Sequence, residues 1–299
     1  TALFAGVSKG AAEVRKFIKE ERVNRVILLS DGLANEGPSS PGDLAELGAS
    51  LIKESISVTT IGLGLDYNED LMAALARKSD GNHMFAEKAQ DLTTAFEREF
   101  GDLMSVVAKN VSITITCEPG VRPVRALGRE VSISGQKVYA GLNQLYGGQD
   151  KYVLLEVELD SGAVGINMPV AQVDISYINM ATDTVDQLQK NVSVAVTDSP
   201  IQIAAGENRD VMETVAYQVS VENNELAMRL RDEGKIEEGK KVLQENLEYM
   251  KEKELKDQDW VIQNSRQIET LDSSDEEWRK TRKGMVKYQY EIKQQMMKQ

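Results

Sequence analysis

At 299 residues, with 41% hydrophobic and 28% charged residues, the chain has a globular composition, and its length calls for two to three domains rather than one core. Its formal net charge of −13 argues against a nucleic-acid partner, which needs a concentrated basic face, and 5% aromatic content leaves little stacking surface. Cys117 is the only cysteine, which excludes an intrachain disulfide, a dithiol redox motif and a zinc–cysteine cluster. No apolar run reaches the length that a membrane-crossing helix needs.

Helical and strand patterns alternate over the first hundred residues. Val7, Ala11, Val14, Phe17 and Ile18 form a stripe that predicts a helix over 6–21. The run from Val23 to Leu29 predicts a strand buried on both faces, ending at Ser30-Asp31-Gly32. A helix over 43–54, a strand over 56–64, a helix starting at Asn68 or Glu69, a strand over 83–86 and a helix over 91–107 follow. Alternation at this spacing means βαβ units and a parallel sheet wrapped in helices.

From 108 to 203 the period changes to two. Val111, Ile113, Ile115 and Cys117 alternate with polar residues, and stretches over 130–134, 137–142, 152–159, 170–179 and 191–197 behave alike. About six short strands between turn residues predict an antiparallel β-sandwich. From 204 to 299 the chain becomes an α-helical, charge-dense tail. Leu226, Leu230, Ile236, Val242, Leu243 and Leu247 sit at helical intervals around a tight turn at Asp232-Glu233-Gly234-Lys235. That unit suits a plain helical hairpin better than a repeat array, of which only one copy is visible. The last forty or so residues read as further helix with a fraying end. The three predicted regions are thus 1–107, 108–203 and 204–299.

Asp31 closes a strand of the parallel sheet, where ligands gather on open α/β sheets, and Thr1 precedes the helix of the adjoining segment. A hydroxyl and a carboxylate there suit a hard divalent cation. In this region VNRVILLSDGLANEG, ISVTTIGLG and DLMAALARKSDGNHMFAEKAQDLTTAFEREF resemble, in order, the later strands and helices of the von Willebrand factor A family. The opening TALFAGVSKGAAEV is similar to the segment bearing that family's metal-ligating threonine. The remainder more loosely resembles bacterial proteins that share architecture with calcium-activated chloride-channel homologues and inter-α-trypsin inhibitor heavy chains.

The resemblance implies a partial Rossmann-like domain carrying a metal-ion-dependent adhesion site, with Thr1 and Asp31 as ligands of Mg2+ (or Ca2+ or Mn2+). It also implies a protein partner that offers a carboxylate to the ion. The family's Asp-x-Ser-x-Ser element does not occur in the chain, which starts at Thr1 without a methionine, as though upstream sequence were missing. Metal binding by these two ligands alone is expected to be weak or absent, even where a longer parent binds well. Family sheets have about six strands and this segment supplies three, so the strand over 23–29 is expected to expose an apolar edge and to favour self-association.

Other chemistry finds little support. Gly62-Leu63-Gly64 lacks the third glycine of a dinucleotide loop, and no P-loop or nucleophile elbow occurs. His83, the single histidine, reads as a polar residue at a strand edge. Glu237-Glu238 and Asp275-Glu276-Glu277 read as solvated helix faces, and Lys280-Thr281-Arg282-Lys283 is too short a basic cluster to mark a nucleic acid or membrane site. The expectation is a non-enzymatic binding module, the alternative a metal-independent scaffold subunit of a multiprotein assembly. Nothing in the sequence fixes a compartment.

Overall fold

A computed structural model describes residues 1–19, 22–253 and 258–296. The chain opens with α1 (Leu3–Arg15), β1 (Asn24–Ser30), α2 (Pro41–Leu51), β2 (Ile56–Leu63), α3 (Glu69–Lys78), β3 (His83–Ala86) and α4 (Asp91–Met104). The three strands form a parallel sheet in the order β1-β2-β3. Strand β2, rich in β-branched residues, is the middle strand and is buried from Ile56 to Gly62, as a strand covered on both faces should be. Helix α2 starts in a reciprocal capping box between Ser40 and Asp43, with Pro41 in its first turn, and Asn68 caps α3 by accepting from the Leu71 amide. Leu3, Val7, Ala11, Leu44, Leu51, Leu71 and Leu75 share one core on a single side of the sheet.

Two expectations are corrected here. Helix α1 begins earlier and stops at Arg15, because its buried stripe of Leu3, Val7 and Ala11 has an arginine at the next position and nothing apolar to hold another turn. Phe17 and Ile18 lie beyond its end, 64% and 38% exposed, and residues 20 and 21 of the expected helix fall outside the described residues. Strand β1 is covered on both faces only in part, with Val26 and Leu28 packed on one core and Ile27 on the other. As the edge strand it leaves most of its side chains half-buried and Leu29 45% exposed.

The second region holds β4 (Val106–Cys117), β5 (Val121–Leu127), β6 (Ser132–Ser134), β7 (Lys137–Tyr146), β8 (Leu154–Leu159), β9 (Asn167–Asn179) and β10 (Thr184–Ala195). A five-stranded sheet, β10-β9-β4-β7-β6, faces the two-stranded β5-β8 pair across a core of Ile115, Cys117, Val121, Val138, Val170 and Ala171. Helix α4 stops short of the expected Val107, and β4 begins at Val106, where β-branched residues replace helix formers. Strand β5 escapes the period-two reading because Pro123 and two arginines interrupt it. A bulge after Pro123 and a place in a two-stranded sheet accommodate them. Strand β10 is also longer than its apolar pattern suggests, since an exposed edge strand has no inner face to keep apolar.

The tail comprises α5 (Pro200–Gly206), α6 (Arg209–Asp232), α7 (Ile236–Glu252), α8 (Gln258–Thr270) and α9 (Asp275–Lys293). Helices α6 and α7 form the expected hairpin, turning at Gly234 (φ 79°), a left-handed conformation that glycine adopts without strain. Buried asparagines cross-link the interior, with the Asn246 amide donating to Asn224 and Asn264 Oδ1 and to the Ser220 carbonyl. The expected fraying end is instead an anchor. Tyr290 and Met296 pack on Ala73 and Ala76 of α3, and the Tyr290 hydroxyl donates to the Gly81 carbonyl at 2.6 Å. Residues 297–299 lie outside the described residues. Among the described residues no helix is long and apolar enough to cross a membrane.

Candidate functional site

At the carboxyl end of the parallel sheet, the segments following β1 and β2 and the first turn of α3 form one wall of a cleft of about 830 Å³. Thr1, Gly32, Asn35 and Asp66 line this wall, while Asp232 at the end of α6 and Arg279, Arg282 and Lys283 on α9 line the other. The tail therefore shapes the site that the sheet presents.

Most of the charge between the walls is already paired. Glu69 is 8% exposed and takes Arg282 on one carboxylate oxygen and Lys283 on the other, both at 2.6 Å. Arg282 also reaches Asp70 at 2.7 Å and Asp232 at 3.0 Å, so one guanidinium ties α3, α6 and α9 together. Lys283 donates to the Tyr67 carbonyl at 2.7 Å and lies 4.0 Å from the centre of the Tyr67 ring. Burial opposes the charge on Glu69, but the hydrogen bond from Lys283 and the nearness of Arg282 outweigh it and hold the carboxyl below its usual range. Burial drives the Tyr67 hydroxyl well above the phenol range, reinforced by Glu69. The Tyr67 ring needs Gly62 behind it, because a Cβ at that position would come within 2.1 Å of the ring. That close approach is what the glycine at the end of β2 serves.

Of the two sequence-predicted ligands, Thr1 lines the cleft beside Gly32, while Asp31, the residue before that glycine, is not among the lining residues. A Cβ on Gly32 would sit 3.7 Å from the Thr1 hydroxyl oxygen, and the Asn35 amide donates to the Thr1 carbonyl at 3.1 Å. Asp31 is exposed in the loop leaving β1, where the neighbouring Ser30 hydroxyl closes the turn by accepting from the Gly32 amide. One hydroxyl and one carboxylate are too few for Mg2+, Ca2+ or Mn2+, which take six or more oxygens. Among the described residues no group of three or more His, Cys, Asp or Glu side chains converges on a common point. The residues present do not by themselves fit a divalent ion.

His83 opens the edge strand β3, as its sequence context suggests, but it is buried rather than solvated. It is buried between Tyr67 and Tyr290, with Nδ1 2.9 Å from the Thr60 hydroxyl. That hydroxyl also lies 3.1 Å from the Met72 carbonyl, and Nε2 faces the interior without a partner among the described residues. Burial pushes its pKa down to about 4, with nearby Glu69 opposing and Lys283 and Lys287 assisting. The acids at 237–238 and 275–277 are exposed, as expected. Sequence reading set aside Lys280-Thr281-Arg282-Lys283 as a small basic cluster, yet its last two residues carry the contact with the sheet region. Arginine and lysine on the side of α9 that also holds buried Trp278 and Met285 was the available hint.

No family model matches the chain. Two curated relatives are each 25% identical: the uncharacterized protein sll0103 of Synechocystis sp., over 238 residues (72% of this chain, 56% of that protein), and the uncharacterized protein YfbK of Escherichia coli, over 128 residues (42% and 22%). The chain thus spans about half the length of the first and about a fifth of the second. Among solved structures, a von Willebrand factor type A protein from Catenulispora acidiphila aligns over 88% of this chain and 62% of its own, at TM-score 0.71 and 14% identity. The ArnB paralog VWA2 from Sulfolobus acidocaldarius aligns over 97% and 68%, at TM-score 0.56 and 21% identity. The human COPII-coat protein Sec24c aligns over 97% and 42%, at TM-score 0.64 and 14% identity. The chain therefore has a von Willebrand factor A-type α/β fold, extended by antiparallel sheets and C-terminal helices.

Proposed function

We propose that the chain is a non-catalytic binding module that engages a protein partner at the rim of the cleft, where the loops following β1 and β2 meet α9. The observation that supports this reading is the division of charge at that rim. Arg282, Lys283, Glu69 and Asp232 neutralise one another and stiffen the floor, whereas Asp31, Asp66 and Arg279 are exposed and enter no ion pair among the described residues. Exposed Leu33 (59%) adds an apolar contact beside them. Paired charges beneath and free charges with an apolar residue above suit recognition of a polar protein surface.

In this reading the partner is held by the chain's own side chains, so binding is independent of divalent cations. The test is co-purification of partners from source cells on wild-type chain and on Arg279→Glu, Asp66→Lys and Asp31→Ala variants, each with EDTA or with magnesium. Loss of a common partner set in the charge variants, with no effect of EDTA, is the expected result. Retention of that set in all three variants overturns the rim as the binding site. Abolition by EDTA, with restoration by magnesium, overturns metal independence in favour of a cation shared by Thr1, Asp31 and a carboxylate of the partner.

A further inference from the structure

Among the described residues the antiparallel sheet ends in a strand with no further strand beside it. Strand β10 pairs with β9 along its whole length and is the outer strand of the five-stranded sheet. The opposing β5-β8 pair is too narrow to cover it, and all of its residues except half-buried Asp186 are exposed. Val185 is 65% exposed, Leu188 57% and Val192 42%. An open edge with apolar side chains is a pairing template unless something blocks it. Its two charges, Asp186 and Lys190, could act as the block, and their placement decides whether they do.

Asp186 and Lys190 stand two residues to either side of Leu188. A two-fold axis through Leu188 that sets two copies of β10 antiparallel places Asp186 of each opposite Lys190 of the other. The same register sets Leu188 against Leu188 and Thr184 against Val192, while Gln187 meets Gln189. The ion pairs, the Leu188 pair and the glutamine pairs are matched cross-strand neighbours, and the remaining pairs, Thr184 with Val192 and Val185 with Asn191, oppose no like charges. Shifting the register by two residues either way breaks both ion pairs. Lys190 has no ion-pair partner among the described residues. Asp186 accepts from Asn179 and Thr184 within its own hairpin and keeps lone pairs for an ammonium. The bulge between Val192 and Ser193 ends the regular segment just where the symmetric pairing would end.

We propose that β10 is a self-complementary edge through which two copies of the chain join their five-stranded sheets about Leu188, an isologous contact on a surface separate from the cleft. Strand β1, an edge strand with Leu29 exposed, lacks this property. Its Arg25 is already buried against Glu99, Gln144 and Tyr146 of the same chain.

Sedimentation equilibrium of the full chain tests it. The wild type shows a reversible monomer–dimer equilibrium, whereas Asp186→Lys and Lys190→Asp each weaken association by about tenfold or more, because each sets like charges opposite at two symmetric places. Mixing the two single variants restores association, since each then meets its complement, and so does the Asp186→Lys/Lys190→Asp double variant. Restoration on mixing also shows that neither variant had merely misfolded. A wild type that stays monomeric overturns the proposal. So do single variants that associate as strongly as wild type, or variants that fail to recover on mixing and in the double swap. None of these outcomes bears on partner binding at the cleft rim, which the Arg279 and Asp66 variants report separately.

Discussion

Lys283 of α9 sets its ammonium 2.6 Å from the Glu69 carboxylate at the head of α3, joining residues 214 positions apart in the chain. Both side chains are almost fully buried, and Glu69 holds Arg282 on its other oxygen. Removing one partner of a buried pair costs about 3–5 kcal/mol when it strands the second, and less when another cation remains. Lys283→Met leaves Glu69 with Arg282 and is therefore expected to lower stability by about 1–3 kcal/mol in urea unfolding. Adding Glu69→Leu should recover a large part of the loss. A single variant as stable as wild type would show that the pair contributes nothing.

A second buried pair joins the α/β region to the sandwich. Arg25 on β1 meets Glu99 of α4 at 2.5 Å and reaches Gln144 and Tyr146 of β7, while Thr59 and Asn82 also donate to Glu99. Burial and Glu99 together push the Tyr146 phenol up to about 12, though Arg25 pulls it the other way. Arg25→Met leaves Glu99 uncompensated, and a loss of about 3–5 kcal/mol is expected, with Glu99→Gln in the same chain lessening it. Thermal unfolding of the single and double variants reads the coupling directly.

Placement of these pairs was outside the reach of sequence reading. The buried strand β2 announces itself through Val58, Thr59, Thr60 and Ile61, and Asp31 is visible as the residue that ends β1, because both signals are local periodicities. Glu69 carries no such mark. It occupies the acidic first turn of a helix, where a carboxylate is favoured by the helix dipole whatever else it does. Only the fold brings Lys283 to it. The tail's helices were legible as amphipathic, but their apolar side gave no indication that it would close on the same chain rather than on another. Strand β5 was hidden for the opposite reason, since Pro123 erased the local alternation that tertiary pairing restores.

Acid should weaken the fold through His83. Its folded pKa of about 4 lies below the ordinary value of 6.5, so the unfolded chain takes up the proton first. Stability then falls as pH drops from about 6.5, and the loss is complete once pH passes below about 4. A separation of this size corresponds to about 3 kcal/mol. Urea titrations across that window on wild type and His83→Phe check it. The variant should show a shallower acid slope, and parallel slopes would remove His83 as the cause.

Gly62→Ala should be disruptive out of proportion to one methyl group. The added Cβ meets the Tyr67 ring, which is wedged between that glycine, the Lys283 ammonium and His83. Displacing a buried ring of this kind costs about 1–3 kcal/mol. Gly37→Ala, with open space at its Cβ but a φ of 75°, serves as the comparison, losing only backbone strain. Equal losses in the two variants would show that the ring contact is unimportant.

The anchoring of α9 sets an order on biosynthesis. A ribosome delivers α3 and β3 nearly two hundred residues before the helix that neutralises Glu69 and caps Gly81 with the Tyr290 hydroxyl. During that interval the nascent α/β segment holds an uncompensated acid and an uncovered patch around Ala73 and Ala76. The α/β region is thus made well before it can be finished, and holdase chaperones have a long opportunity at the surface that α9 finally seals.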